Sequence, residues 1–423
     1  GAVLGDIARG CARVIAATVV DKDDANQVEI RYQDEVDRAL TPLLVDTVTK
    51  ARDALTKDLG VTWPKPTRII VVRDLLSLSA MTGLPYDAAR TTGTVAVAKW
   101  GRVTLLSPRA SHHGYAWRDT VAHELTHLAV TRASVDRAPL WLQEGVAKRE
   151  ETRWREPGPF DDRPSPDAIV LRGMELKLDL ALDKLGPSIA MLPSADAAMV
   201  AFAEVTSFVR YFATTSSPDA LPRLLLALRQ RKSPDDALKE ASGFDLKQWD
   251  AKWRAYLQAT HHETLPSTFA LGAEPPSFKD TRERVRLAEL LYGRSHAASA
   301  LGQLDKVKGM ADDPSIRYAR ARVLQTLGRA KEAEPLVAEP KEVVAPYGPW
   351  WAIRGIFAQG RGDEPLTGSS FAEAVAQDPF DLESACRSRD PAAPVPAGDV
   401  RLLCEATRAL DAQGAGEPDL GRD

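Results

Sequence analysis

The chain has 423 residues, more than one hydrophobic core usually serves, so two or three domains are expected. Hydrophobic residues make up 44% and charged residues 27% of the sequence, a balance that excludes a disordered or fibrous protein. The net charge is 55 minus 59, or −4, and no long basic run is present, which argues against nucleic-acid binding. The sequence contains no uninterrupted stretch of about 18 apolar residues, so no membrane span is expected.

The N-terminal segment, residues 1–26, is rich in alanine and is set apart from the predicted domains. Asp6, Arg9 and Arg13 stand where the apolar core of a signal peptide would lie, so the segment is not expected to be one. A signal peptide that was removed earlier stays compatible with the sequence.

Residues 27–108 have the pattern of a small mixed α/β sheet. Short runs rich in β-branched residues alternate with one stretch of helical periodicity. The predicted elements are strands at 27–32 and 67–74, a helix at 34–59 that ends at Gly60, and a hairpin at 92–108 that turns at Trp100 and Gly101.

From Arg118 onward the periodicity becomes helical. A second helix begins at Pro139, because proline is favoured in the first helical turn, and further helices are expected between about 200 and 258. Three residues of the last helix recur at every fourth position and are predicted to lie in the core: Trp249, Trp253 and Leu257.

Residues 263–279 are rich in Pro, Ser and Thr and are predicted to be a linker. Beyond the linker, residues 280–423 are rich in Ala and Leu and are predicted to be helical. Two pairs of alanines have the same internal spacing, and the second pair follows the first by one repeat length: Ala288 with Ala300, and Ala321 with Ala333. This pattern resembles that of tetratricopeptide repeats, and a plain helical bundle is the alternative.

The sequence HELTH at 123–127 carries the clearest chemical signal. Positions i and i+4 of a helix share one face, so His123 and His127 can present their imidazoles to one metal ion. Glu124 is turned about 100° from His123 and lies beside that ion, where it can accept a proton from water. A tetrahedral site needs a third protein ligand. Glu144, on the next predicted helix, is the candidate, because a carboxylate among its apolar neighbours is costly unless paired.

HELTH, together with PLWLQEGVA at 139–147, SFVRYF at 207–212 and WDAKWRAYL at 249–257, resembles the bacterial peptidase MA-like gluzincins over roughly residues 27–260. The resemblance implies an α+β chain with a thermolysin-like zincin domain at 27–262, made of a small mixed sheet and active-site helices. An all-α repeat domain follows at 280–423.

The same resemblance implies one Zn²⁺ ion per chain, held by His123, His127 and Glu144. Glu124 would be the general base for hydrolysis of a peptide or protein substrate. The repeats would offer a surface for a protein partner.

One departure from the family's pattern is Phe202. Family members commonly carry a tyrosine at this position, and its hydroxyl could stabilise the oxyanion. Tyr211 and Tyr115 are weak substitutes and are expected to be structural.

A second departure is Lys148, one helical turn after Glu144. Related zincins often have an acid there that supports a ligand histidine, so Asp119 or Glu151 is expected to serve instead. His112 and His113 precede the HELTH helix and either line the cleft or lie in a solvated loop.

Two other functions stay open. A pseudo-peptidase would bind zinc but act through its repeats as a protein-interaction scaffold; Phe202 and Lys148 favour it, and the intact HELTH opposes it. In a purely structural scaffold, the histidines of HELTH would be core residues.

Three cysteines are too few for a disulfide-dense scaffold. Cys386 and Cys404 flank one Pro-rich loop and can pair in an oxidising compartment, which would leave Cys11 over; three unlinked thiols are the alternative. A bacterial protein of the cell envelope, periplasmic or secreted, is expected, with the cytoplasm as the alternative.

Overall fold

The structure is a computed structural model that describes residues 2–63, 66–111, 114–158, 160–186, 188–189, 192–265, 269, 271, 276–307, 312–339, 347–388 and 404. It divides into two compact units. The first contains Gly1–Ala110 and Arg118–Leu265, and the second contains Ser111–Trp117 and Pro266–Asp423. The division after Leu265 falls inside the predicted linker at 263–279.

The first unit combines one sheet with eleven α-helices in its described part. The strands are β1 Val19–Asp23, β2 Val28–Tyr32, β3 Thr67–Val72, β4 Ala96–Lys99 and β5 Arg102–Leu106. The helices are α1 Ala2–Ala16, α2 Thr41–Leu59, α3 Leu75–Thr82, α4 Tyr86–Thr92, α5 Trp117–Ser134, α6 Leu140–Glu150, α7 Pro166–Glu175, α8 Ala195–Thr215, α9 Ala220–Arg229, α10 Pro234–Ser242 and α11 Leu246–Ala259.

The five strands form one mixed sheet in the order β1-β2-β3-β5-β4. The central pairs β2–β3 and β3–β5 are parallel, and Ile69 of β3 lies between Ile30 and Val103 in the register. The outer pairs β1–β2 and β4–β5 are antiparallel. The predicted mixed sheet is therefore present, and β4 forms one of its edges.

The hairpin predicted at 92–108 is confirmed as β4 and β5. Its two turn residues both have positive φ, 53° for Trp100 and 72° for Gly101. Turns of this kind match the right-handed twist of the flanking strands, and glycine adopts the conformation without steric cost.

The N-terminal segment 1–26 is part of the first unit, so this unit begins earlier than residue 27. β1 pairs with β2 along its whole length. On α1, Val14 packs in one apolar cluster with Ile70 and Val72 of β3. The alanine-rich composition conceals this role, because only one face of α1 needs apolar residues to cover the sheet.

The predicted helix at 34–59 is two elements. A 3₁₀ helix covers Glu35–Leu40, and α2 starts at Thr41 because Pro42 has no N–H to continue an earlier helix. It ends before Gly60, as predicted. The short helices α3, α4 and α7 were not predicted, since elements of so few turns give no clear period.

α6 and α8 approach each other at Gly145. A Cβ atom at this position would lie 2.5 Å from the backbone oxygen of Val205 and would also overlap the side chain of Val209. Only glycine allows this spacing. Around the contact, Phe208 of α8 meets Trp141 and Trp253 edge to face, with ring centroids 5.3 and 5.8 Å apart.

The predicted core positions of α11 are confirmed. Trp249, Trp253 and Leu257 are all buried. The indole N–H of Trp253 donates to Ser207 Oγ of α8 at 2.8 Å, so α11 is tied to α8 by a buried hydrogen bond as well as by packing.

The second unit is helical in its described part. The helices are α12 Pro276–Gly293, α13 Ala297–Leu304, α14 Pro314–Thr326, α15 Ala330–Ala333, α16 Gly348–Gly360, α17 Glu364–Gln377 and α18 Leu382–Arg387. The four alanines of the predicted repeats are all buried. The segment Ser111–Trp117 also belongs to this unit, where the N–H of Tyr115 donates to the carbonyl of Gln377 at 3.2 Å.

Cys386 and Cys404 form a disulfide, which selects the paired alternative, and Cys11 is free and partly buried. His112 and His113 lie outside the described residues. Among the helices that the structure describes, none has the length and apolarity required to cross a bilayer.

Glu204 generates a prediction about stability. It is fully buried on α8, and the backbone N–H of Leu180 lies 3.3 and 3.2 Å from its two oxygens. Burial raises the pKa of Glu204 to about 8 from an ordinary 4.5. Since the folded chain holds this proton more tightly than the unfolded chain, stability is lost as the pH rises from 4.5 toward 8.

Glu204→Gln cannot ionise and keeps the shape of the side chain. Relative to the wild type, we expect its free energy of unfolding to gain up to about 1.4 kcal/mol per pH unit across this window. Urea unfolding at pH 5 and pH 8 measures the difference. The exposed Glu175→Gln is the matched control, and an equal Glu204→Gln effect at both pH values would contradict the assignment.

Candidate metal centre

Two histidines face each other on α5. His123 and His127 are one helical turn apart, and their ring centroids are separated by 4.8 Å. Their Nε2 atoms lie 3.1 Å apart. The side chains of His123 and His127 are only 14% and 18% exposed, so water can solvate these two nitrogens only weakly.

Glu144 reaches the same point from α6. Its Oε2 lies 3.7 Å from His123 Nε2 and 3.5 Å from His127 Nε2. Zinc bonds of about 2.0–2.1 Å in a tetrahedron place neighbouring ligand atoms about 3.3 Å apart. The triangle of 3.1, 3.5 and 3.7 Å is close to this requirement, so the three residues fit a tetrahedral ion.

Glu124 is the other acid near the histidines. Its carboxylate and the two imidazoles have ligand atoms within 4.8 Å of one another, so it also belongs to a group that can hold a metal. Glu144 Oε2 lies within 3.7 Å of both Nε2 atoms, so the structure places two acids near the histidines. Glu124 is buried, with 7% of its surface exposed.

The charges of the three residues depend on one another. Burial opposes the charge of His123, but its contacts with Glu144 and Glu151 outweigh burial and raise its pKa to about 9. The pKa of Glu144 is lowered, because the attraction of both histidines outweighs its own burial. The site therefore gathers positive charge around Glu144, which protons or a cation can supply.

Glu151 supports His123 from the side opposite Glu144. His123 Nδ1 lies 3.2 Å from Glu151 Oε2, and Lys148 Nζ lies 2.7 and 2.9 Å from the two Glu151 oxygens. Of the two acids named from the sequence, Asp119 instead accepts a hydrogen bond from the indole of Trp154 at 2.9 Å. Lys148 thus pairs with the acid that contacts His123.

An open cleft of about 600 Å³ in the first unit is lined by His123, Glu124, Lys148 and Glu151 among other residues. The start of β4 and the residues before it line one part, α5 and α6 line a second part, and the loop before α7 and one face of α8 line a third part. Phe202 lies in this cleft and is half-buried. Tyr211, a proposed substitute for the missing tyrosine, stacks on Tyr256 with centroids 4.9 Å apart.

Several lining residues were not predicted from the sequence. Asp162 and Arg163 lie in the loop before α7, and Met199 and Arg210 lie on α8. The α8 residues have a signal in the sequence, since Met199, Phe202 and Arg210 recur at helical spacing. The loop residues have none, because their placement depends on tertiary contacts.

Comparison with known proteins identifies the family of the chain. The family model described as Peptidase MA superfamily matches residues 47–259, which is 213 of the 423 residues. The chain therefore belongs to the Peptidase MA superfamily, which indicates a peptidase-like function. No curated protein matches the sequence.

The contact between His123 and Glu151 generates a prediction about metal retention. Glu151→Gln removes a negative charge and weakens the acceptor that orients the imidazole. We expect zinc affinity to fall by roughly 10- to 100-fold, measured by competition with a chromogenic chelator. Glu150→Gln is the matched control, because Glu150 is the neighbouring buried acid at the end of α6 and pairs with Arg149. Equal zinc affinities of wild type and Glu151→Gln would show that the contact has no supporting role.

Proposed function

We propose that the protein is a zinc-dependent peptidase with a thermolysin-like catalytic domain, a gluzincin. The observation that carries the proposal is the triangle formed by His123, His127 and Glu144. Two imidazoles and one carboxylate suit zinc, and a fourth position facing the cleft would stay open for chemistry. Membership of a superfamily that is generally metal-dependent supports the same choice.

Each residue of the site would have a separate role. His123, His127 and Glu144 would hold the ion, and Glu151 would keep the His123 Nδ1 proton in place so that Nε2 can bind metal. Bound zinc supplies Lewis acidity, which acidifies water and polarises the scissile carbonyl. Glu124 would accept the proton from that water and pass it to the leaving amine.

The edge strand β4 is suited to hold an extended peptide. The carbonyl of Val95 accepts from the N–H of Leu106 at 2.7 Å, so Val95 faces β5. Backbone groups alternate in direction along an antiparallel strand, so those of Ala96 point to the outer side, and Ala96 lines the cleft. A substrate backbone would add to the sheet there.

Phe202 favours one alternative, a catalytically weak pseudo-peptidase. It has no hydroxyl to donate to an oxyanion, although it occupies the position where relatives commonly have tyrosine. In this alternative the first unit binds zinc, and the helical repeats of the second unit act as a protein-interaction scaffold.

We also propose that the second unit consists of tetratricopeptide-like repeats that bind a protein partner, and that the protein works in the bacterial cell envelope or outside the cell. The buried alanines of its helices support the first point. The disulfide Cys386–Cys404 supports the second, since such bonds persist in oxidising compartments.

The proposed roles of Glu124 and Glu144 can be separated by mutation. Glu124→Gln removes the proton acceptor but leaves the three ligands, so zinc should stay bound while peptidase activity falls by roughly 100-fold or more. Glu144→Ala leaves two histidines and should weaken zinc binding by more than about 100-fold. Elemental analysis and cleavage of a mixed peptide library, with and without chelator, measure the two effects.

Glu240→Gln, an exposed change on α10, is the control for both variants. Loss of zinc in Glu124→Gln but not in Glu144→Ala would reverse the two roles. A wild type that holds one zinc ion yet cleaves nothing would favour the pseudo-peptidase, and a wild type that holds no zinc after repletion would refute both zinc functions.

A further inference from the structure

One face of α8 runs along the cleft, and its residues change from apolar at one end to an arginine at the other. The lining residues of this helix occupy positions i, i+3, i+4, i+7 and i+11: Met199, Phe202, Ala203, Thr206 and Arg210. With a rise of about 1.5 Å per residue, the stripe is about 16 Å long, which matches about five residues of an extended peptide. The cleft therefore follows the helix far enough to contact several substrate side chains.

The first part of the stripe is apolar. Met199 is 36% exposed although it is a large apolar residue, and Phe202 is half-buried beside it. Ile169 of α7 lines the same cleft. Covering such a surface with an apolar side chain of the substrate removes apolar area from water and so stabilises the complex.

The far part of the stripe is cationic. Arg210 forms an ion pair with Asp162, and its side chain stays 28% exposed. Arg163, the next residue of the loop, is 44% exposed, and its pair with Glu263 is long, at 3.8 Å. Each guanidinium has five N–H donors, so these pairs leave donors that can bind a further carboxylate.

The spacing between the two parts can be expressed in substrate residues. Phe202 and Arg210 lie just over two turns apart on α8, a distance of about 12 Å along the axis. An extended peptide advances about 3.3 Å per residue, so the two parts are three to four substrate residues apart.

We propose that the cleft selects peptides in which a carboxylate lies three or four residues from an apolar residue, with Met199 and Phe202 contacting the apolar side chain and Arg210 and Arg163 binding the carboxylate. This inference rests on the proposed peptidase function and names its substrate class. The carboxylate belongs either to an acidic side chain or to the C-terminus of the substrate.

A series of matched peptides tests the inference on the full chain. Each peptide contains one leucine, with glutamate, glutamine or lysine three or four positions to either side. A second set has the leucine four residues from a C-terminus that is free or amidated. Cleavage gives kcat/KM, and equilibrium binding to zinc-loaded Glu124→Gln measures the preference independently of turnover.

We expect glutamate to be preferred over glutamine by roughly 5- to 20-fold, chiefly through KM, and lysine to be disfavoured, with a smaller preference at high salt. Preference for the free C-terminus over the amide would identify the α-carboxylate as the source, and preference within the internal series would identify the acidic side chain. Either result supports the inference.

Arg163→Gln and Arg210→Gln should each reduce the preference, and Arg210→Lys should retain most of it. Arg172→Gln, an exposed change on α7 outside the cleft, should leave it intact. Arg163→Gln keeps the test decisive if loss of the Arg210–Asp162 pair disturbs the loop. If peptides with glutamate, glutamine and lysine are cleaved or bound equally well, this inference is wrong, but the peptidase proposal is unaffected. If zinc-loaded wild type cleaves no peptide and Glu124→Gln binds none, the peptidase proposal fails with it.

Discussion

The site depends on a convergence of polar atoms that needs a proton or a cation between them. The two Nε2 atoms and the Glu144 oxygen lie within 3.7 Å of one another in a part of the first unit that is poorly accessible to solvent. Two imidazole lone pairs cannot face each other at 3.1 Å unless a proton or a cation lies between them. Glu144 reaches the histidines from α6, which packs against α8, and the stability of the fold must exceed the cost of the convergence.

The surroundings of His123 determine which of its two nitrogens faces Glu144. Glu151 accepts at Nδ1 of His123 and so leaves Nε2 as the nitrogen that faces Glu144. Lys148 pairs with Glu151, so a lysine in this position lies next to the acid that contacts His123. That carboxylate lies one turn after Lys148, just past the end of α6.

Much of this site was accessible from the sequence because it depends on helical periodicity. The spacing of His123 and His127 places them on one face of any helix, and Glu144 follows on the next helix within a short connection. The central strands and the hairpin at Trp100 were equally predictable, since β-branched runs and a Trp-Gly turn are local signals. The roles of individual site residues remain predictions.

Other features depend on contacts that are distant in the sequence. Nothing local in residues 1–26 shows that β1 extends the sheet or that Val14 covers Ile70. The segment Ser111–Trp117 lies between β5 and α5 in the chain but clusters with residues of the second unit. The arginine-bearing end of the cleft likewise combines a loop with a helix that comes much later in the chain, a separation that no periodicity spans.

The glycine contact between α6 and α8 also bears on how this cleft can change in evolution. Because Gly145 contacts the backbone of Val205, α6, which carries Glu144, and α8, which lines the cleft, are in close contact and leave no room for a larger residue at position 145. A larger side chain at Val209, which faces Gly145, would press against the helix that carries Glu144. The side of α8 that faces Gly145 is therefore more constrained than the side that faces the cleft.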